Sequence, residues 1–138
     1  ILPGAHAPSS VAWGYENRTV AVRIPGGSPK ARRIEHRVAG ADANPYLVLA
    51  SILGGALLGI EGKWEPPPPI TGDAYSQNIE TLPPDWASAI EAFSRGPHVT
   101  QIYARRLQRM FVQCKLQELR RFTRHVTEFE YHSYMEAV

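Results

Sequence analysis

The sequence predicts an α+β fold: an antiparallel strand pair, part of a larger sheet, followed by about four helices. Two segments, 17–24 and 31–38, are rich in Val, Thr, Ile and Arg and read as strands. The connection Pro25-Gly26-Gly27-Ser28-Pro29 is short enough to make them antiparallel neighbours. Beyond them lie two helical signatures. One is the apolar run Leu47 to Ile60; the other is the i, i+3, i+4, i+7 stripe of Leu107, Met110, Phe111 and Cys114.

Taken in order, residues 1–16 read as a loop, broken by Pro3-Gly4 and Pro8-Ser9-Ser10. The two strands follow, and two strands alone do not make a stable sheet, so this pair needs strands from outside the sequence. Asn44-Pro45 opens a helix as N-cap and first helical residue, running to about Ile60 with Gly62 as its stop. That helix is apolar nearly all round and is expected to be covered on most sides. The run Pro66 to Pro69 makes 65–75 a semi-rigid connector. Asp85 caps a short helix through about Ser94, which Gly96-Pro97 ends. From His98 to Glu136 the chain reads as helical, with Thr127 capping a last short helix. Cys114 is placed in the core with Met110 and Phe111.

Composition bounds the function. The 138 residues are about one domain's worth of chain. At 43 % hydrophobic and 20 % charged, they are globular rather than disordered. Cys114 is the single cysteine, which excludes an internal disulfide, a multi-cysteine zinc site and a CxxC redox pair. A reducing, cytoplasmic setting is expected. The apolar run is short of the roughly 20 residues a membrane span requires, so no membrane partner is expected. The first residue is Ile1 rather than Met, and the sequence reads as a piece of a longer chain.

Net charge is only +2, yet it is unevenly placed. Arg18, Arg23, Lys30, Arg32, Arg33 and Arg37 share one stretch with Glu35 as the lone acid. A second basic stretch runs from Arg105 to Arg124. Both call for anionic partners. Strand alternation sends Arg33, Glu35 and Arg37 to one face, and Arg32, Ile34 and His36 to the other. A carboxylate between two guanidiniums has two readings. One is a surface ion network of little energetic consequence. The other is a phosphate site, in which arginine forks grip anionic oxygens and Glu35 holds a divalent cation. Arg18 and Arg23, five residues apart, belong to opposite faces of a regular strand. Either a bulge re-aims one, or they touch different parts of an extended anion. Lys30 lies within reach of the same anion, and a solvated strand rim is the plain alternative. The Arg105–Arg124 helix raises a nucleic-acid-binding alternative. Its apolar stripe, and the lack of aromatics on its basic face, argue against a nucleic-acid partner. His98, His125 and His132 lack metal-ligand spacing.

Four motifs, in order and spacing, resemble the C-terminal part of the glutamine synthetase catalytic domain. They are Asn17-Arg18-Thr19, Val22-Arg23-Ile24-Pro25, the run Ser28 to Arg37, and Ala43-Asn44-Pro45-Tyr46-Leu47. Leu2-Pro3-Gly4 is similar to the loop just upstream in that family, and a looser likeness continues through Val126 to Glu130. The resemblance implies an ATP-dependent ligase that phosphorylates the side-chain carboxyl of glutamate and lets an amine displace the phosphate. It implies Mg²⁺ or Mn²⁺ beside ATP, and a ring-shaped homo-oligomer with glutamate, ATP and an amine as its small-molecule partners. By motif, Arg18 and Arg37 are the catalytic residues. Arg18, Arg23, Lys30 and Arg33 bind ATP, Arg37 binds glutamate, and Glu35 is a metal ligand. Glu35 offers the metal one carboxylate, so further ligands are expected from outside this sequence. Many members carry Tyr-Glu where Ala5-His6 stands here. Together with the stretch from Val38 to Leu47, this points to an amine larger than ammonia. The segment alone is expected to be inactive. A ligase-like scaffold without catalysis is the remaining alternative.

Overall fold

The middle of the sheet is a short strand, Val22–Ile24 (β2), whose neighbours come from either side of it in sequence. The computed structural model describes residues 7–135, so Leu2-Pro3-Gly4, Ala5 and His6 lie outside the described residues. Two compact units are formed, one up to Asp85 and one from Trp86 onward.

In the first unit the order is β1 (Trp13–Tyr15), β2, β3 (Glu35–His36). The expected antiparallel pair is β2 with β3, in the register Val22 opposite His36 and Arg23 opposite Glu35. Both strands are shorter than 17–24 and 31–38. Residues 18–21 bend before β2 begins, and Pro29–Ala31 form a 3-10 turn before β3. Pro25 and Pro29 supply no N–H to a ladder, which shortens the pairing from the turn side.

The loop expected over 1–16 contains a strand instead. β1 runs parallel to β2, with Gly14 opposite Arg23. A glycine at the centre of three residues gives a poor strand signal. The structure explains it: a Cβ at Gly14 would stand 2.5 Å from the Ile70 carbonyl oxygen. That oxygen belongs to the connector after the proline run. The connector is held to β1 by Ile70 N–H donating to the Trp13 carbonyl at 2.8 Å and by Trp13 Nε1 donating to the Pro67 carbonyl at 2.7 Å. Ala12, Val20 and Ala74 are buried together, with Ile70 and Ile79 packed on them.

Helix α1 (Pro45–Glu61) matches its expected bounds. Asn44 Oδ1 accepts from the Tyr46 and Leu47 N–H groups, and Gly62 is the C-cap. The expected cover is not supplied by the described residues. No α1 residue is fully buried, and Tyr46, Leu49, Leu53, Leu57 and Ile60 are each more than half exposed.

The second unit has helices α2 (Trp86–Arg95), α3 (Val99–Ile102), α4 (Arg105–Thr123) and α5 (Glu128–Tyr134). The helical stretch expected from about His98 is broken twice, the second time where a cap at Thr127 was expected. At the first break Tyr103 takes extended backbone and is buried, its ring 5.8 Å from that of Phe93. At the second, Thr127 caps α5 as expected, through a reciprocal box with Glu130. The inward face of α4 also differs from the apolar stripe. Gln108 and Val112 are buried and Phe111 is partly so, whereas Leu107, Met110 and Cys114 are exposed. Gln108 takes the inward position because its amide donates to the Phe93 and Ser94 carbonyls at 3.3 and 2.9 Å, satisfying the open end of α2.

No helix among the described residues is long and apolar enough to cross a membrane. Gly14→Ala forces the added methyl against the Ile70 carbonyl. It should destabilise the protein by about 1–3 kcal/mol in urea unfolding followed by tryptophan fluorescence.

Candidate functional site

Asn17-Arg18-Thr19 lies in the bend between β1 and β2, and its outer two residues are anchors. Asn17 Nδ2 donates to the carbonyls of Ile70 at 3.1 Å and Gly72 at 2.8 Å. Asn17 Oδ1 accepts from the Thr19 N–H at 2.9 Å and from its hydroxyl at 2.7 Å. The Thr19 hydroxyl oxygen in turn accepts from the Ala74 N–H at 2.9 Å. With its neighbours pinned to the connector, Arg18 is left exposed at a groove of about 500 Å³. Tyr15, Glu16, Asn17, Arg23, Thr71 and Gly72 line the same groove. Of the two alternatives for Arg18 and Arg23, the structure is nearer the first, with a bend in place of a bulge re-aiming one of them. The bend after Asn17 removes Arg18 from the strand, and both arginines reach one groove.

Beside that groove runs a chain of alternating charge. Glu16 Oε2 receives Arg23 Nη2 at 3.0 Å, and Arg23 Nη1 reaches Glu35 Oε2 at 3.1 Å. Glu35 Oε1 then receives Arg37 Nε at 3.1 Å. Arg37 also donates through Nη1 to the Arg18 carbonyl, tying the far end of the chain back to the bend. The guanidiniums are well covered, with side chains 14 % and 15 % exposed, whereas Glu16 is 58 % exposed. Register explains the contact: Arg23 and Glu35 sit opposite each other on adjacent strands.

The sequence expected Glu35 between Arg33 and Arg37. The structure keeps Arg37 and exchanges Arg33 for Arg23. Arg33 precedes the two-residue β3, so strand alternation does not govern it. Its Nη1 donates to the Ala31 carbonyl of its own turn at 3.3 Å. Lys30 stands exposed on that turn. Sequence reasoning missed Glu16. The available signal was a carboxylate two residues before Arg18, but β1 had not been recognised, so nothing aimed it at Arg23.

As a cation ligand Glu35 fits in part. It is one-third exposed, and a carboxylate oxygen that accepts from a guanidinium keeps a free lone pair. No group of three or more His, Cys, Asp or Glu converges among the described residues, so Glu35 would be one ligand of a shared site. In the second unit Lys115 pairs with Glu118 at 2.7 Å, and Arg105, Arg106, Arg109, Arg120, Arg121 and Arg124 are exposed.

Residues 1–134 match the family described as glutamine synthetase, catalytic domain. The gamma-glutamylputrescine synthetase PuuA of Escherichia coli K12 is 38 % identical over 93 % of this chain. The glutamate–isopropylamine ligase of a Pseudomonas species is 35 % identical over 96 %. The chain spans 27 % and 29 % of those two relatives. A solved structure of GmaS in complex with ADP superposes with a TM-score of 0.81 at 30 % identity, covering 95 % of this chain and 30 % of that one.

The Gly26 N–H donates to Glu16 Oε1, and Arg23 holds the other oxygen. The Gly26 N–H first, and the guanidinium second, hold the Glu16 carboxyl below its ordinary value of 4.5. A depressed carboxyl contributes its stability fully above the unfolded value and loses it as pH falls through the folded one. The Gly26 amide proton shift should therefore titrate with a midpoint below 4.5 in an NMR pH series, and a midpoint at or above 4.5 contradicts the contact.

Proposed function

This chain belongs to the glutamine synthetase catalytic-domain family, and we propose that it is the C-terminal part of the catalytic domain of a longer, ATP-dependent glutamate–amine ligase. The observation that carries this is the chain of paired charges from Arg23 through Glu35 to Arg37, tied back to the Arg18 carbonyl, beside a groove that Arg18 and Arg23 line. In support, PuuA and the isopropylamine enzyme are glutamate–amine ligases by name, and the GmaS relative binds ADP.

In this reaction the γ-carboxylate oxygen of glutamate attacks the terminal phosphorus of ATP, and ADP leaves. The amine nitrogen then attacks the acyl carbon, phosphate departs, and the nitrogen gives up a proton. Both steps move negative charge between oxygens, so catalysis is mainly positioning and neutralisation. Arg18 and Arg23, lining the groove, face the phosphates. Lys30 and Arg33, on the turn between β2 and β3, reach the nucleotide from that side. Arg37 holds glutamate and the phosphoryl group in transit. Arginine suits these roles because it stays charged at every working pH. Glu35 would offer one carboxylate oxygen to Mg²⁺ or Mn²⁺, and the cation would supply neutralisation of the phosphate charge. The cation's other ligands come from the rest of the protein.

The amine is larger than ammonia. Ala5-His6 replaces the acidic residue that many family members place after Pro-Gly, and the relatives named above act on putrescine and isopropylamine by name. The full-length protein forms a ring-shaped homo-oligomer in the cytoplasm. The exposed apolar residues of α1 support burial against the rest of the protein.

An amine panel with the full-length protein, read as ADP release in the presence of glutamate, ATP and Mg²⁺, tests this. Release stimulated by putrescine or a small alkylamine is expected, and no stimulation by any amine or by ammonia overturns the ligase reading. In the same assay Glu35→Ala should lose most amine-dependent ADP release. Wild-type turnover in that variant removes Glu35 from the cation shell.

A further inference from the structure

Glu16 is the one member of the charge chain with no assigned role. It also sits awkwardly for a residue beside an anion site. Its carboxylate lines the groove next to Arg18 and Arg23, where by simple Coulomb repulsion it should weaken phosphate binding. Its backbone is in the left-handed region, at φ 51°, uncommon for a residue with a side chain. Two contacts account for that placement. Oε2 holds Arg23 Nη2 at 3.0 Å, and Oε1 accepts the Gly26 N–H in the turn that leads to Lys30. Gly26 leaves room for this, since a Cβ there would press on Oε1 at 3.2 Å.

We propose that Glu16 is a positioning residue for nucleotide binding: it holds Arg23 and the Gly26 turn at the groove, so that Arg23 does not depend on Glu35 alone. The proposal rests on the ligase reading above. Arg23 presents its two terminal nitrogens to two different carboxylates, and that two-point grip fixes the plane of the guanidinium. Without Glu16 the guanidinium is free to rotate about its bond to Glu35, and the buried Nε, which has no hydrogen-bond partner, gives it no third anchor. The Lys30 turn loses its tie to β1 at the same time. Charge and positioning thus make opposite predictions. A carboxylate that acts only by charge costs nucleotide affinity, and its removal tightens binding. A carboxylate that positions Arg23 supplies affinity, and its removal weakens binding.

The test is calorimetric titration of the full-length protein with ADP in excess Mg²⁺, at a temperature where melting curves show each variant folded. Glu16→Gln keeps the size and loses the charge. It should raise the dissociation constant about tenfold, the scale of one charged hydrogen bond. Glu16→Gln combined with Arg23→Lys should lose less affinity than the two single losses added together, because the part of the effect that acts on Arg23 is already gone. Should Glu16→Gln not fold, Gly26→Ala displaces the same carboxylate and is expected to weaken ADP binding in the same direction. ADP affinity that is unchanged or tighter in the folded variant, or additive losses in the double variant, overturns the role of Glu16 while leaving the ligase reading intact. Wild-type protein that fails to bind ADP overturns both.

Discussion

The site depends on a single cross-strand pairing, Arg23 opposite Glu35. Those two residues come from different strands, and their side chains meet only because β2 and β3 are antiparallel in this register. A slip of one residue would put the two side chains on opposite faces and dissolve the chain of charges on either side. Its flanks guard the register. Arg37 N–H donates to the Ala21 carbonyl at 2.9 Å, and Val22 N–H donates to the Ala12 carbonyl at 3.1 Å, so pairing extends past the formal strand ends. A short sheet thereby holds four charged groups in sequence, with little apolar surface to spare for the task.

The connector after α1 does much of the holding. A run of prolines cannot offer N–H groups to a sheet, but its carbonyls remain acceptors. Trp13 uses one of them, and Asn17 uses two more just downstream. Gly14 lets the Ile70 carbonyl come close enough to complete the arrangement. Arg18 owes its position to this anchoring, because both of its neighbours spend their side chains on the connector and the bend. The charged residue of the motif meets the groove, and the polar residues beside it fix the backbone.

The helices were legible in the sequence where caps and breakers mark them. Asn44-Pro45, Gly62 and Thr127 each stand where the structure uses them. The antiparallel pair was legible from its Pro/Gly connection. What escaped had a tertiary cause. β1 is hidden because its central glycine answers to a carbonyl 56 residues away. The inward face of α4 was displaced because Gln108 serves the end of α2, a need that periodicity does not register. At the site, alternation along one strand paired Arg33 with Glu35, whereas the structure drew Arg23 from the neighbouring strand. The motif residues were legible as a set, and their partners within the set were not.

The charge count of the site carries one more consequence under the ligase reading. Glu16, Arg23, Glu35 and Arg37 sum to zero and are already paired. An incoming polyphosphate finds no surplus positive charge in that chain; the surplus lies in Arg18, Lys30 and their neighbours at its edge. For Arg23 and Arg37 to turn toward phosphate oxygens, Glu35 must accept another cation in their place. A divalent ion held by Glu35 would do so, since it carries more charge than one carboxylate offsets. Nucleotide and cation are then coupled ligands, each improving the site for the other, as linkage requires. If Glu35 were to turn to a cation, Arg23 would still have Glu16 at 3.0 Å to hold it at the groove.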